Sequence, residues 1–185
     1  MIKVTIDEQP DKIRLKDLGW ALNDLVVDLK TPTDVMALLG NKTKNDIEFM
    51  SLSRMCLSAL IVNLCKLDDL INHFGKDIRG LSDTVRSPLI QIKMEIESRE
   101  MYRYRSTYLA HSIANDKNIK RPLTLKEATS YLIKIIDKGL NPIDHNLYAF
   151  CDWIYKKDEK DCVVNVIYSA VMEIDTIVGG LGKRE

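Results

Sequence analysis

Apolar residues recur at three- and four-residue steps along most of the chain, and the breaks in that rhythm mark where elements begin and end. After Pro10, Ile13, Leu18, Ala21, Leu22, Leu25, Val26 and Leu29 form one such stripe, which predicts an amphipathic helix. Thr31-Pro32 is expected to end it, because the residue before a proline is pushed out of the α region. Thr33 or Asp34 then caps a short helix that Gly40 closes. From about 43 to 74 runs the longest helical pattern, with Ile47, Met50, Met55, Leu57, Leu60, Ile61, Leu64, Leu67, Leu70 and Ile71 expected as its buried side. Between Met55 and Leu67 nearly every face is apolar, so this helix should be central and packed on several sides.

Residues 76–86 are polar and include Gly80, a connection with room for one helical turn. Ser87-Pro88 reads as an N-cap followed by proline at the first helical position, opening a second long helix through Leu89, Ile92, Met94 and Ile96 to Tyr102. Residues 115–122 are a loop by composition, and Thr124-Leu-Lys-Glu127 is a capping box for a helix over 125–138. Further helices are expected over 143–155 and 161–178. At the start, Ile2-Lys3-Val4-Thr5-Ile6 alternates apolar and polar, which predicts an extended arm over residues 1–10, and the glycine-rich 179–185 reads as a flexible tail. The fold class that follows is all-α: one domain over 1–185, a bundle of about six or seven helices. Its two long central members, 43–74 and the helix ending at Tyr102, are expected to be antiparallel neighbours.

Composition supports this without redirecting it. Apolar residues make up 45% and charged residues 29%, with only 8 Gly and 5 Pro, which favours an ordered helical globule. The formal net charge is zero, so any binding to nucleic acid must come from a local patch. Cys56, Cys65, Cys151 and Cys162 show no Cys-x-x-Cys spacing and fall within helical patterns, which suits buried thiols in a reducing, cytoplasmic setting. No apolar run reaches the roughly 18 residues of a membrane span. Asp68-Asp69 raises the question of a metal site, but without a second cluster of ligands the pair reads as the solvated end of its helix, and no metal or cofactor is expected.

The chemistry concentrates in Met101-Tyr102-Arg103-Tyr104-Arg105-Ser106-Thr107-Tyr108-Leu109-Ala110-His111-Ser112. Arginine is a permanent cation whose planar fork matches a phosphate, and histidine exchanges a proton near neutral pH. On a straight helix Arg105 and His111 would lie about 120° apart around the axis and about 9 Å along it, so they meet only if the helix bends or the arginine reaches. Tyr104 and Tyr108 are placed to stack on a base or hydrogen-bond a phosphate. Residues 99–121 hold six basic side chains (Arg99, Arg103, Arg105, Lys117, Lys120 and Arg121) against two acidic ones (Glu100 and Asp116), a local excess of four that attracts phosphate.

The run Tyr104-Arg105-Ser106-Thr107-Tyr108-Leu109-Ala110-His111-Ser112, followed by Arg121-Pro122-Leu123-Thr124 and preceded by the helix ending Leu64-Cys65-Lys66-Leu67-Asp68-Asp69, resembles the signature of the HEPN superfamily, specifically its abortive-infection-associated (AbiU-like) branch. That superfamily places a histidine four to six residues after an arginine. Many members carry Asn, Asp or His directly after the arginine, where this chain has Ser106. The resemblance implies an all-α homodimer in which two motifs face a shared cleft, acting as a metal-independent RNase in a toxin or phage-defence role, with a cognate antitoxin as a further partner. It assigns His111 to proton transfer, Arg105 to the charge on the phosphorane and Ser106 to an auxiliary hydrogen bond. Tyr104, Tyr108, Arg103, Lys117 and Arg121 would line the RNA. The alternative is a non-catalytic helical module that binds RNA, a nucleotide or a protein partner through the same surface.

Overall fold

The structure, a computed structural model, describes residues 10–39, 47–106, 113–116, 119–122, 125–137 and 147–183. The described chain is an all-α bundle of eight helices with one short antiparallel hairpin. The helices are α1 (Pro10–Leu39), α2 (Ile47–His73), α3 (Gly75–Arg79), α4 (Asp83–Ser98), α5 (Met101–Tyr104), α6 (Leu125–Asp137), α7 (Leu147–Ile154) and α8 (Val163–Val178). Strands β1 (Ile113–Asp116) and β2 (Ile119–Pro122) lie between α5 and α6, with Ile113 opposite Pro122 and Asp116 opposite Ile119. The stretch 115–122, expected as a loop, is thus largely the hairpin.

Helices α1, α2, α4 and α8 close a ring: α1 packs on α2 and α8, and α4 bridges the other sides of α2 and α8. One continuous core fills the ring and draws on all eight helices, from Leu18 and Leu22 through Leu60, Leu64 and Leu89 to Phe150, Ile167 and Ile174. Each such side chain contributes roughly 1.5–3 kcal/mol by leaving water. Helix α8 buries Val163, Val164, Val166, Ile167, Ala170, Val171, Ile174 and Val178.

The two long central helices are α1 and α2. Arg14 on α1 reaches Asp77 and the carbonyl of His73, while Asp28 lies against Asn63 and Lys66, so the two run antiparallel. Pro32 does not end α1, contrary to expectation. A proline in a helix leaves the carbonyl four residues back without its donor. Here that acceptor is Asp28 O, and the Nδ2 of Asn63 on α2 donates to it at 3.2 Å, so the helix runs on to Leu39.

Helix α4 also begins elsewhere than Ser87. Glu173 of α8 accepts from the Ser82 N–H and the Ser82 hydroxyl, both at 2.6 Å, which starts the helix at Asp83 and leaves Pro88 inside it. The glycine tail is docked as far as Leu181. Gly179 takes a left-handed φ of 78°, Gly180 N donates to Asp175 O at 2.8 Å, and the Leu181 side chain packs back on the core beside Gly19. The extended arm expected before α1 lies outside the described residues. All four cysteines are free and buried. No helix among the described residues is long and apolar enough to cross a membrane.

Candidate functional site

The focal stretch is aimed by a break between α4 and α5. Arg99, just after α4, is buried and packs against Phe150 and Trp153, with its Cζ 5.4 and 5.1 Å from the ring centres. Its guanidinium binds Glu95 at 2.8–2.9 Å and donates to the carbonyls of Ile135 and Ile136, the latter at 3.0 Å. Those carbonyls belong to the last turn of α6, where a cation is favoured. Glu100 follows in a left-handed conformation, φ 52°, which an L-residue adopts at a cost of about 1 kcal/mol or more. Lys134 at 2.8 Å and Arg103 at 3.7 Å hold its carboxylate, and the Lys134 hydrogen bond lowers its pKa from the usual range. The chain therefore leaves α4 in a new direction, and the helical ladder widens into a π-turn at Arg105 and Ser106.

That turn brings Tyr102 and Arg105 against the end of α2. The Tyr102 phenol shares its proton between Asp69 Oδ1 at 2.7 Å and the carbonyl of Cys65 at 2.9 Å. Burial, reinforced by Asp69 and Asp68, pushes the phenol pKa up, so it stays a donor. The other oxygen of Asp69 accepts from Arg105 Nη1 at 3.1 Å, and the guanidinium lies over the Tyr102 ring with its Cζ 5.8 Å from the centre. Asp69's hydrogen bond raises the Arg105 pKa further, and the Arg105 side chain remains 38% exposed. Asp68, one residue earlier, is buried against Lys93 at 3.3 Å and Asn72 at 3.3 Å. The aspartate pair is therefore split: Asp69 is exposed, as its sequence context suggested, and holds Tyr102 and Arg105, whereas Asp68 is buried and anchors Lys93.

Other residues expected at the site are distributed differently. Tyr104 is fully buried in the core, so it packs the bundle and offers no face for a base. Arg103 is exposed, lies over Tyr131 at 5.3 Å and leans toward Glu100. Ser106 is exposed and its hydroxyl donates to Arg103 O at 3.3 Å. Arg99 leaves the basic patch altogether, and the two described arginines that remain, Arg103 and Arg105, each face a carboxylate. Tyr108, His111 and Lys117 lie outside the described residues, and Arg121 is described only as backbone in β2.

Along the open seam of α1 and α2 run two depressions that share Asp28 and Lys66. The larger, about 630 Å³, passes Ala21, Leu25 and Leu70 and ends at Asp69 and His73, behind the Arg105 contact. Among the described residues no group of three His, Cys, Asp or Glu side chains is arranged to hold a metal ion. No protein-family model matches the chain, and neither does any curated protein or any solved structure.

Sequence reasoning missed Asp69, Tyr102 and Arg99 as site-building residues. The available signal was an adjacent aspartate pair inside an apolar helix, since charges in such a place need partners from elsewhere in the fold.

Proposed function

We propose that this protein is a metal-independent endoribonuclease whose working pair is Arg105 and His111, with Ser106 as an auxiliary hydrogen-bond donor. One observation supports it above the others: the Arg105 guanidinium is braced by Tyr102 and Asp69 at a π-turn yet stays open to water. Such turns are frequent at functional sites, and a braced planar cation suits two oxygens of one phosphoryl group. The HEPN-like run brings the histidine that the chemistry needs. His111 takes the proton from a ribose 2′-hydroxyl or gives one to the leaving oxygen. The 2′-oxygen forms its bond to phosphorus as the bond to the 5′-oxygen breaks, leaving a cyclic phosphate and a 5′-hydroxyl. Arg105 offsets the charge that builds on the phosphoryl oxygens.

The same resemblance supports a cytoplasmic homodimer in a toxin or phage-defence role, paired with an antitoxin protein. Arg103, Lys117 and Arg121 would then follow the RNA backbone, with Tyr108 against a base. A second reading has its own observation. Asp69 already pairs with Arg105, as expected of an arginine that serves structure, and this favours a non-catalytic module binding RNA, a nucleotide or a protein. Arg105→Ala and His111→Ala separate the two: both variants should fold and lose RNA cleavage while the wild type cleaves. Retained RNA affinity without turnover in the wild type would favour the module.

A further inference from the structure

The sequence resemblance assigns Arg105 a role but says nothing of what fixes its direction. The structure shows an ordered chain of three groups. The Tyr102 ring is packed against the core and its hydroxyl is anchored by the Cys65 carbonyl on α2. That same hydroxyl holds Asp69 Oδ1, and Asp69 Oδ2 holds Arg105 Nη1. The Tyr102 ring also forms the floor beneath the guanidinium. The ring beneath the guanidinium and the carboxylate on Nη1 together restrict the swing of the arginine.

We infer that Tyr102 and Asp69 are positioning residues that present the exposed part of the Arg105 guanidinium to a phosphoryl group, an inference that rests on the proposed RNase reading. Asp69 holds Nη1 and the Cys65 thiol also interacts with the guanidinium, while the Arg105 side chain stays 38% exposed. A guanidinium binds two oxygens of one phosphate with two parallel N–H groups, and it does so best when its plane is already set. The carboxylate carries a second consequence. It lowers the local positive potential, so it opposes ground-state binding of RNA while it aligns the group that acts in the transition state. Removing a group of that kind lowers kcat without raising KM, a split that a residue of purely structural importance does not give.

The inference is tested on the full chain with three variants, Tyr102→Phe, Asp69→Ala and Asp69→Asn, and two readouts. The first is steady-state cleavage of a short RNA. Asp69→Ala should lower kcat by about tenfold to a hundredfold with KM unchanged or smaller, the scale at which misplacing a catalytic group acts. Asp69→Asn, which keeps an acceptor for Nη1, should recover part of that loss. The second is ¹⁵N relaxation of the Arg105 Nε–H, assigned by its disappearance in Arg105→Lys. It should be rigid in the wild type and mobile in Tyr102→Phe and Asp69→Ala. If Arg105 stays equally rigid in both variants, or if kcat is unchanged in all three, the inference is overturned. If the wild type cleaves no RNA, the RNase reading fails by itself, while the relaxation measurement still decides whether Tyr102 and Asp69 hold the arginine.

Discussion

Asn63 Nδ2 lies 3.2 Å from the carbonyl oxygen of Asp28, the one acceptor in α1 that Pro32 deprives of its helical donor. A side chain on α2 thus completes the hydrogen bonding of α1 and fixes the two longest helices against each other. Truncating Asn63 leaves that carbonyl without its protein donor in the depression between α1 and α2, where water replaces part of the bond, so the cost is about 0.5–1.5 kcal/mol. Pro32→Ala restores the missing N–H and removes the dependence. Asn63→Ala should therefore destabilise the wild type clearly and the Pro32→Ala protein much less. A double-mutant cycle by urea unfolding should give a coupling of about 1 kcal/mol; additive effects would show that the two residues act independently.

Arg99 is the buried charge on which the α4–α5 break depends. It has a carboxylate, two helix-terminal carbonyls and two aromatic faces around it, so no smaller group replaces it. Arg99→Ala should destabilise the fold by about 3–5 kcal/mol, the range for stranding one half of a buried ion pair. Arg99→Lys should recover only part, because an ammonium lacks the planar fork and the stacking surface. Thermal unfolding of both variants checks the order. Equal stability of Arg99→Ala and the wild type would remove Arg99 from this role.

The docked tail makes a prediction whose sign depends on context. A Cβ on Gly19 would sit 2.7 Å from Leu181 Cδ2 and 3.0 Å from Ile174 Cγ2, tighter than side chains tolerate. Gly19→Ala should therefore destabilise the wild type, overpacking outweighing a helix-propensity gain of about 1 kcal/mol. In a Leu181→Ala background the obstacle is largely gone, and the same substitution should become stabilising. Denaturant midpoints of the four proteins decide it; a destabilisation of the same size in both backgrounds would mean that Leu181 does not dock there.

Burial pushes the Cys65 thiol up to about 11, against a lowering influence from Arg105, and the Cys151 thiol up to about 12. Unfolded thiols ionise near 8.5. A raised folded pKa means that the folded state holds its protons longer, so stability is full below the unfolded value and is lost as pH rises from there toward 11 and 12. Urea midpoints should fall between pH 8 and 10, and fall less in a Cys65→Val, Cys151→Val protein. Equal slopes in the two proteins would place the pH dependence elsewhere.

Local patterns made α2, α6 and α8 legible, because a helix that buries one broad face writes that face into consecutive residues. What the sequence concealed came from partners far along the chain. Pro32 reads as a terminator until Asn63, on another helix, supplies the missing donor. Ser87-Pro88 reads as a helix start until Glu173 is found on Ser82. Tyr104 looks like a surface aromatic beside Arg105, but the left-handed turn at Glu100 rotates it into the core. At the candidate site, Arg105 was visible as a chemical type, whereas Asp69 became its partner only through the meeting of α5 with the end of α2. The hairpin of β1 and β2 had no apolar alternation to announce it.

The proposed RNase chemistry is tested most directly by the ends it leaves. Incubation of the purified protein with a defined RNA in excess EDTA, followed by mass spectrometry of the fragments, should give 2′,3′-cyclic phosphates paired with 5′-hydroxyls, and no fragments with His111→Ala. Intact RNA, or fragments that persist unchanged in both His111→Ala and Arg105→Ala, would contradict it.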